Sequence, residues 1–348
     1  MHQIQGMIQY FERPQGNFKS IHESNIFFDG DLKKLSHHDI MIFNLEDEVP
    51  EEFYAVMNTM DYEFYQDVEI AFMGQLKKDY FDKLPLILKF CKENHILPII
   101  LGIEIELLNL ITMHYEEVHT PHRLSLVCPS IEALTQIDPF LSIYTNEIYT
   151  LGIQRQLGLV HSTSDPELQK SILLLSEFRK SQFSIEPFLR NSEIIFFDTN
   201  AVRASDSPGN TKALPSGFFS EEASSIAKMA GNGDKTEIFL VSPWKKNVDA
   251  QNLTSLLVHQ MIWYFIEGHA KKKMDALNEN DNITQYIVHF KEKQLDLKFF
   301  KSEVSGKWWV SNVIDIDEKA YCKIPCSYED YLDSAKDKIP ARILHLIK

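Results

Sequence analysis

The run IIFF at positions 194–197 constrains this chain more than any other stretch, because it is cut off at once by Asp198-Thr199-Asn200 and then by Ser, Asp, Pro and Gly. Four bulky apolar residues in succession, with no polar alternation, suit a strand covered on both faces, as strands are in a parallel sheet flanked by helices. The abrupt change to polar and turn-forming residues ends the strand. In open parallel α/β sheets ligands gather at the carboxyl ends of strands, so a D-x-N pair there predicts a metal or substrate position. Residues i and i+2 of an extended segment share a side, which predicts that Asp198 and Asn200 reach one point.

The same grammar recurs along the chain. Residues 25–29, 39–45, 96–101, 123–127, 147–154 and 237–241 read as strands. Between them lie helical patterns: 76–95, interrupted by Pro85; a leucine-rich segment at 107–113; and 165–180 around Leu168, Ile172, Leu175 and Phe178, with Asp165 as N-cap. A further helix is expected from Ser220, as cap, to Gly231, with Glu221 and Glu222 in its first turn. Residues 249–267 carry the stripe of a long packed helix. Strand–helix alternation of this kind predicts a doubly wound, mostly parallel sheet with helices on both faces. After residue 280 the pattern changes to three short strands, 284–290, 295–300 and 307–311, an antiparallel meander, then short helices opening at Ser327 and Pro340. The expected division is therefore an N-terminal segment (1–24, polar and irregular), an α/β domain (25–280) and a C-terminal extension (281–348).

Composition narrows the class of function. A chain of 348 residues, 44% hydrophobic, can bury one large core or a core plus an appendage. A net charge of −15 argues against binding nucleic acid through its phosphates. No apolar run approaches the ~20 residues that span a bilayer, and the N-terminus has no signal-peptide pattern, so an acidic, soluble, cytoplasmic protein is expected. Cys91, Cys128, Cys322 and Cys326 are too few for a disulfide framework and fit a reducing compartment. Cys322 and Cys326 lack the second pair that a zinc site needs. Trp308-Trp309 offers either packed core or an exposed patch for a partner.

Taken together, the strand ends resemble the ureohydrolase family of arginase, agmatinase and formimidoylglutamase. FFDTNAVRASDSPG with Pro215, Ser216, Gly217 and Glu221 looks like that family's S-F-D-x-D-x-x-D-P segment and its downstream P-x-x-G-G-[LF]-x-x-x-E. PIILGIEIE at 98–106 is similar to P-[IV]-x-L-G-G-D-H-S, LGIQR at 151–155 to the I-G-[IL]-R strand, and EIFLVSP at 237–243 to D-[IV]-x-E-[IV]-x-P. The resemblance implies a three-layer α/β/α arginase-like fold over about residues 25–270, a C-terminal antiparallel extension, and a trimer or hexamer. It also implies two bridged manganese ions, whose hydroxide attacks a guanidinium or formimino carbon.

The ligand positions that the resemblance implies are mostly altered. The family's histidine falls on Ile105; its D-A-H-x-D residues fall on Cys128, Ser130 and Glu132; its D-x-D pair is Asp198 and Asn200; its substrate-contacting glutamate falls on Leu240. Two close divalent cations repel unless carboxylates bridge them, and here only Asp198 is identical. The expectation is a protein with no manganese cofactor and no hydrolase activity, acting in ligand binding or assembly. The alternative is a hydrolase of linear C–N bonds with one divalent ion, Mn or Mg, held by Asp198, Asn200 and Glu132, with Glu104. His114, His119, His122 and His161 are the imidazoles nearest in sequence that could rebuild the site, His161 best placed, while Arg155 is expected to support the local carboxylates.

Overall fold

Apolar runs with no polar face are what the structure buries most deeply. The computed structural model describes residues 7–12, 35–45, 53, 68–117, 122–132, 145–157, 172–276, 283–290, 295–312 and 324–340. In chain order the elements begin with β1 (Phe11–Glu12), β2 (Ile40–Leu45), β3 (Ile70–Leu76), α1 (Leu84–Glu93), β4 (Leu97–Leu101) and α2 (Leu108–Glu117). There follow β5 (His122–Val127), β6 (Thr145–Ile153), β7 (Ile172–Leu174), α3 (Leu175–Phe178), α4 (Glu186–Arg190) and β8 (Ile194–Phe197). Then come α5 (Ser220–Gly231), β9 (Ile238–Val241), α6 (Leu253–Ala276), β10 (Ile283–Phe290), β11 (Leu295–Ser302), β12 (Trp308–Asn312), β13 (Ile324–Cys326) and α7 (Tyr328–Ser334).

Among the described residues, β1 to β9 form one sheet in the order β1-β3-β2-β4-β9-β8-β5-β6-β7. Every neighbouring pair is parallel except β1 with β3. Successive side chains of a strand point to opposite faces, and here both faces are covered. Ile195, Phe197, Phe239 and Val241 pack with Ala223 and Ala227 of α5 and Val258 and Met261 of α6. Ile194, Phe196, Ile238 and Leu240 pack on the other side with Leu84 and Ile87 of α1 and Leu108 and Ile111 of α2. The fold is thus three-layered, α/β/α, and the four residues of β8 are all buried, each worth ~1.5–3 kcal/mol.

Several expectations change. Residues 172–174 are not helical: they pair in parallel with β6 at the sheet edge, and among the described residues of that expected helix Leu175–Phe178 turns as one. Leu and Ile at helical spacing fit a buried edge strand equally well, and the pairing partner decides. The cap of α5 is Phe219, not Ser220: its N–H donates to Glu222 Oε2 at 2.8 Å, while the Ser220 N–H donates to Asp206 Oδ2 at 3.0 Å. Phe11–Glu12, in the segment expected to be irregular, pairs with β3, itself not foreseen. The expected strand at 25–29, the helix before residue 172 and the one after Pro340 lie outside the described residues.

β10 to β13 form a separate antiparallel sheet, with β13 as an unforeseen fourth strand. Its tryptophans are packed, Trp308 more deeply than Trp309. Trp308 is buried against Tyr286 and Tyr331, and Trp309 lies under the Arg190 guanidinium, 4.7 Å from ring centre. Arg190, fully buried, donates to the carbonyls of Trp308 (2.6 Å) and Cys326 (3.2 Å) and pairs with Glu186 (2.6 Å) and Asp234 (3.4 Å). No described helix is long and apolar enough to cross a membrane.

Candidate functional site

The carboxyl ends of β4, β9, β8 and β5 lie side by side in that order. Hydrogen bonds carry the register past the strands: Asp198 N–H to Val127 O (2.9 Å), Ser242 N–H to Phe197 O (3.0 Å) and Ile103 N–H to Val241 O (3.1 Å). The segments after these strands therefore meet. They line a cleft of about 140 Å³ that includes Glu104, Ser130, Glu132, Asp198, Asn200 and Lys212.

Asp198 and Asn200 do come together, by a different route from the extended one. The chain turns at once into a 3-10 turn, Thr199–Ala201, with Asp198 as its cap. Asp198 Oδ1 accepts from the Asn200 N–H (2.9 Å), the Asn200 side-chain amide (2.8 Å) and the Ser242 hydroxyl (3.3 Å). Asn200 Oδ1 in turn accepts from the Lys212 N–H (2.7 Å) and the Thr211 hydroxyl (3.2 Å). Asn200 is thus a brace between the strand end and the 211–212 loop. Burial raises the Asp198 carboxyl above its usual range, against the lowering by those hydrogen bonds and by the Lys212 charge.

The remaining positions supply little. Cys128 is buried, donates to Ser130 O at 3.5 Å, and is driven further toward the thiol form by burial and by the Asp198 charge. Ile105 and Leu240 are buried hydrocarbon. Glu132 is exposed, with the Lys212 ammonium 4.0 Å away, so the cation nearest to it is the protein's own. Among the described residues lining the cleft, Lys212 is the one cationic side chain. Among the described residues no three His, Cys, Asp or Glu side chains converge as a metal site. Asp198 is a braced carboxylate beside an engaged amide and a neutral thiol, Glu104, Glu106 and Glu132 are exposed at the cleft, and no imidazole is among its described lining residues, a set that does not fit a bridged manganese pair.

Of the residues expected to rebuild or support the site, the structure describes the side chains of His122 and Arg155. His122 is buried at the start of β5, at the opposite edge of the sheet, and Arg155 is exposed. His119 and His161, and the His114 side chain, lie outside the described residues. Sequence reasoning missed Ser242, Thr211 and Lys212. Ser242 carried a signal, since it follows β9 directly as Asp198 follows β8. Thr211 and Lys212 carried none.

The glycines shared with the resemblance have packing reasons. A Cβ on Gly217 would stand 2.4 Å from Arg203 N and 2.6 Å from Ala201 O, where Val202 bridges Phe218. Gly152 has φ +90°, and a Cβ there would meet the Phe218 ring at 2.4 Å. These two contacts seat the loop after β8 against α5 and β6.

A mostly parallel sheet with helices on both faces and its polar loops gathered at the carboxyl edge defines the doubly wound, three-layer class of α/β fold. No protein-family model matches the chain, and no curated protein matches it by sequence. Solved structures do match. The oxidized formiminoglutamase of Trypanosoma cruzi, solved with Mn²⁺ at pH 8.5, is 15% identical with a TM-score of 0.56, over 68% of this chain and 94% of that one. The agmatine ureohydrolase of Thermoplasma volcanium is 14% identical with a TM-score of 0.56, over 81% of this chain and all (100%) of that one. A hypothetical agmatinase from Burkholderia thailandensis is 11% identical with a TM-score of 0.52, over 68% and 87%. The chain has the ureohydrolase fold.

Proposed function

We propose that this chain uses the ureohydrolase fold without manganese and without hydrolase activity, as a protein that binds a small ligand or assembles with further copies of itself. The observation that carries the reading is the state of Asp198, the single unaltered ligand position. Its Oδ1 takes three hydrogen bonds from Asn200 and Ser242, and the amide that stands in for the second carboxylate is itself engaged by residues 211–212. The reading draws further support from hydrocarbon at Ile105 and Leu240, where the resemblance implies an imidazole and a carboxylate. The cleft, about 140 Å³, is also small beside the ~300–1,000 Å³ of ordinary ligand pockets. A cytoplasmic setting accords with the free, buried thiols of Cys91 and Cys128.

The test is metal analysis of the purified full-length protein after incubation with Mn²⁺, alongside assays for urea from agmatine and arginine and for formamide from formiminoglutamate. Expected are no stoichiometric manganese and no product. Two equivalents of manganese per chain with release of either product overturns the proposal. The competing single-ion hydrolase, with Asp198, Asn200, Glu132 and Glu104, is separated by calorimetric titration with Mg²⁺ and Mn²⁺. Heat of binding that disappears in Asp198→Ala supports that alternative.

A further inference from the structure

The roomier cavity lies at the other edge of the sheet. It opens where β4 and β9 begin, between the last turn of α1 and the second half of α6, with a volume of about 480 Å³. That falls within the ~300–1,000 Å³ usual for small-molecule pockets. Leu88, Ile96, Pro98 and Ile238 give it apolar walls.

Its balance of charge is out of keeping with an acidic chain. Lys92 and Lys272 line it, with the imidazoles of His95 and His269, against one acid, Glu237. Glu237 is engaged by Lys92 at 3.3 Å. Asp234, whose charge also reaches Lys272, is shared by Lys307 (2.9 Å) and Arg190 (3.4 Å). Lys272 is half-buried and makes no hydrogen bond or ion pair with any described residue, while burial and the Lys307 charge push its pKa down against the pull of Asp234 and Glu237. An ammonium drawn out of water without a partner is costly, and an anion in the pocket would relieve it. The carbonyls at the end of α1, which would repel an anion, are covered: Phe90 O by the Asn94 N–H and side-chain amide, Lys92 O by the His95 N–H and Cys91 O by the Ile96 N–H.

We propose that this cavity is a binding site for a small organic monoanion, a carboxylate with an apolar body. The carboxylate pairs with Lys272 beside His269, and the body lies on Leu88, Ile96, Pro98 and Ile238. One uncompensated cation selects one negative charge, and the apolar walls select hydrocarbon over an inorganic ion. The site is separate from the carboxyl edge and stands whether or not that edge hydrolyses anything.

The test is calorimetric titration of the full-length protein with octanoate, with octylammonium and octanol as controls of matching length. Octanoate binds and the controls do not. Lys272→Met keeps the apolar stem and weakens octanoate by about tenfold or more, while Lys272→Arg retains it. Without ligand, Lys272→Met melts no lower than the parent, since it removes a desolvated charge. No octanoate binding up to millimolar concentration, equal binding by Lys272→Met, equal binding of octylammonium, or a lower melting temperature of ligand-free Lys272→Met overturns the proposal.

Discussion

Replacing Arg190 by Met tests how the C-terminal sheet is held to the α/β layers. The guanidinium is fully buried, and four groups converge on it. Met keeps most of the stem and removes every donor. The carbonyls of Trp308 and Cys326 lose their bonds at 2.6 and 3.2 Å, at ~1–3 kcal/mol for each buried acceptor left unpaired. Glu186 and Asp234 lose less, because their side chains are 21% and 33% exposed and Asp234 keeps Lys307 at 2.9 Å. The total is about 4 kcal/mol, within the ~3–5 kcal/mol seen when one partner of a buried pair is removed. Urea unfolding is followed by tryptophan fluorescence, to which Trp308 and Trp309 contribute two of four tryptophans, and by far-UV circular dichroism. The fluorescence transition of the variant moves to lower urea ahead of the dichroism, as β10 to β13 release before the larger sheet. Arg190→Lys gives most of the same loss, since one ammonium cannot serve two carbonyls and two carboxylates in that fork. A loss under ~1 kcal/mol by both probes refutes the reasoning, because buried acceptors cannot be abandoned so cheaply.

Gly217→Ala forces a Cβ to 2.4 Å from Arg203 N, backbone that cannot swing aside, and is expected to destabilise by ~1–3 kcal/mol in thermal or urea unfolding. His259 stacks on Phe53 at 3.9 Å, is fully buried, and has its pKa lowered from 6.5 to about 4 by burial, against a bond to the Phe53 carbonyl. The unfolded chain therefore binds the proton first, so stability is fully present above pH ~6.5 and falls by roughly 3 kcal/mol as pH drops toward 4, a slope that His259→Gln removes. Asp198→Asn keeps an acceptor for Asn200 and Ser242 while removing a desolvated charge, so its melting temperature at neutral pH is equal or higher; a marked fall would mean that the carboxylate holds something the brace does not explain.

What could be read from the sequence was set by how far each contact reaches along the chain. Strands buried on both faces, such as β8 and β9, declare themselves because every residue must be apolar, and their neighbour β4 follows the same rule. β3 hides, since Gly74 and Gln75 interrupt its run and Gly74 sits at φ +86° at the shift in register with β2. β7 reads as helix because Ile172, Leu175 and Phe178 satisfy a helical stripe that only the partner strand β6 overrides. At the carboxyl edge the residue types were legible and their engagements were not. Asp198 and Asn200 meet through a turn, but the atoms that occupy them come from residues 211 and 212 and from Ser242, 44 positions beyond Asp198. A list of oxygen donors therefore overstates the capacity of this edge for a cation: one oxygen of Asp198 and both ends of the Asn200 amide already serve to close the loop. The same logic runs in reverse at the amino edge. Lys272 looks like one more surface lysine of a helix in sequence, and becomes a recognition element only when the fold removes its water and gives the neighbouring acids to Lys92, Lys307 and Arg190.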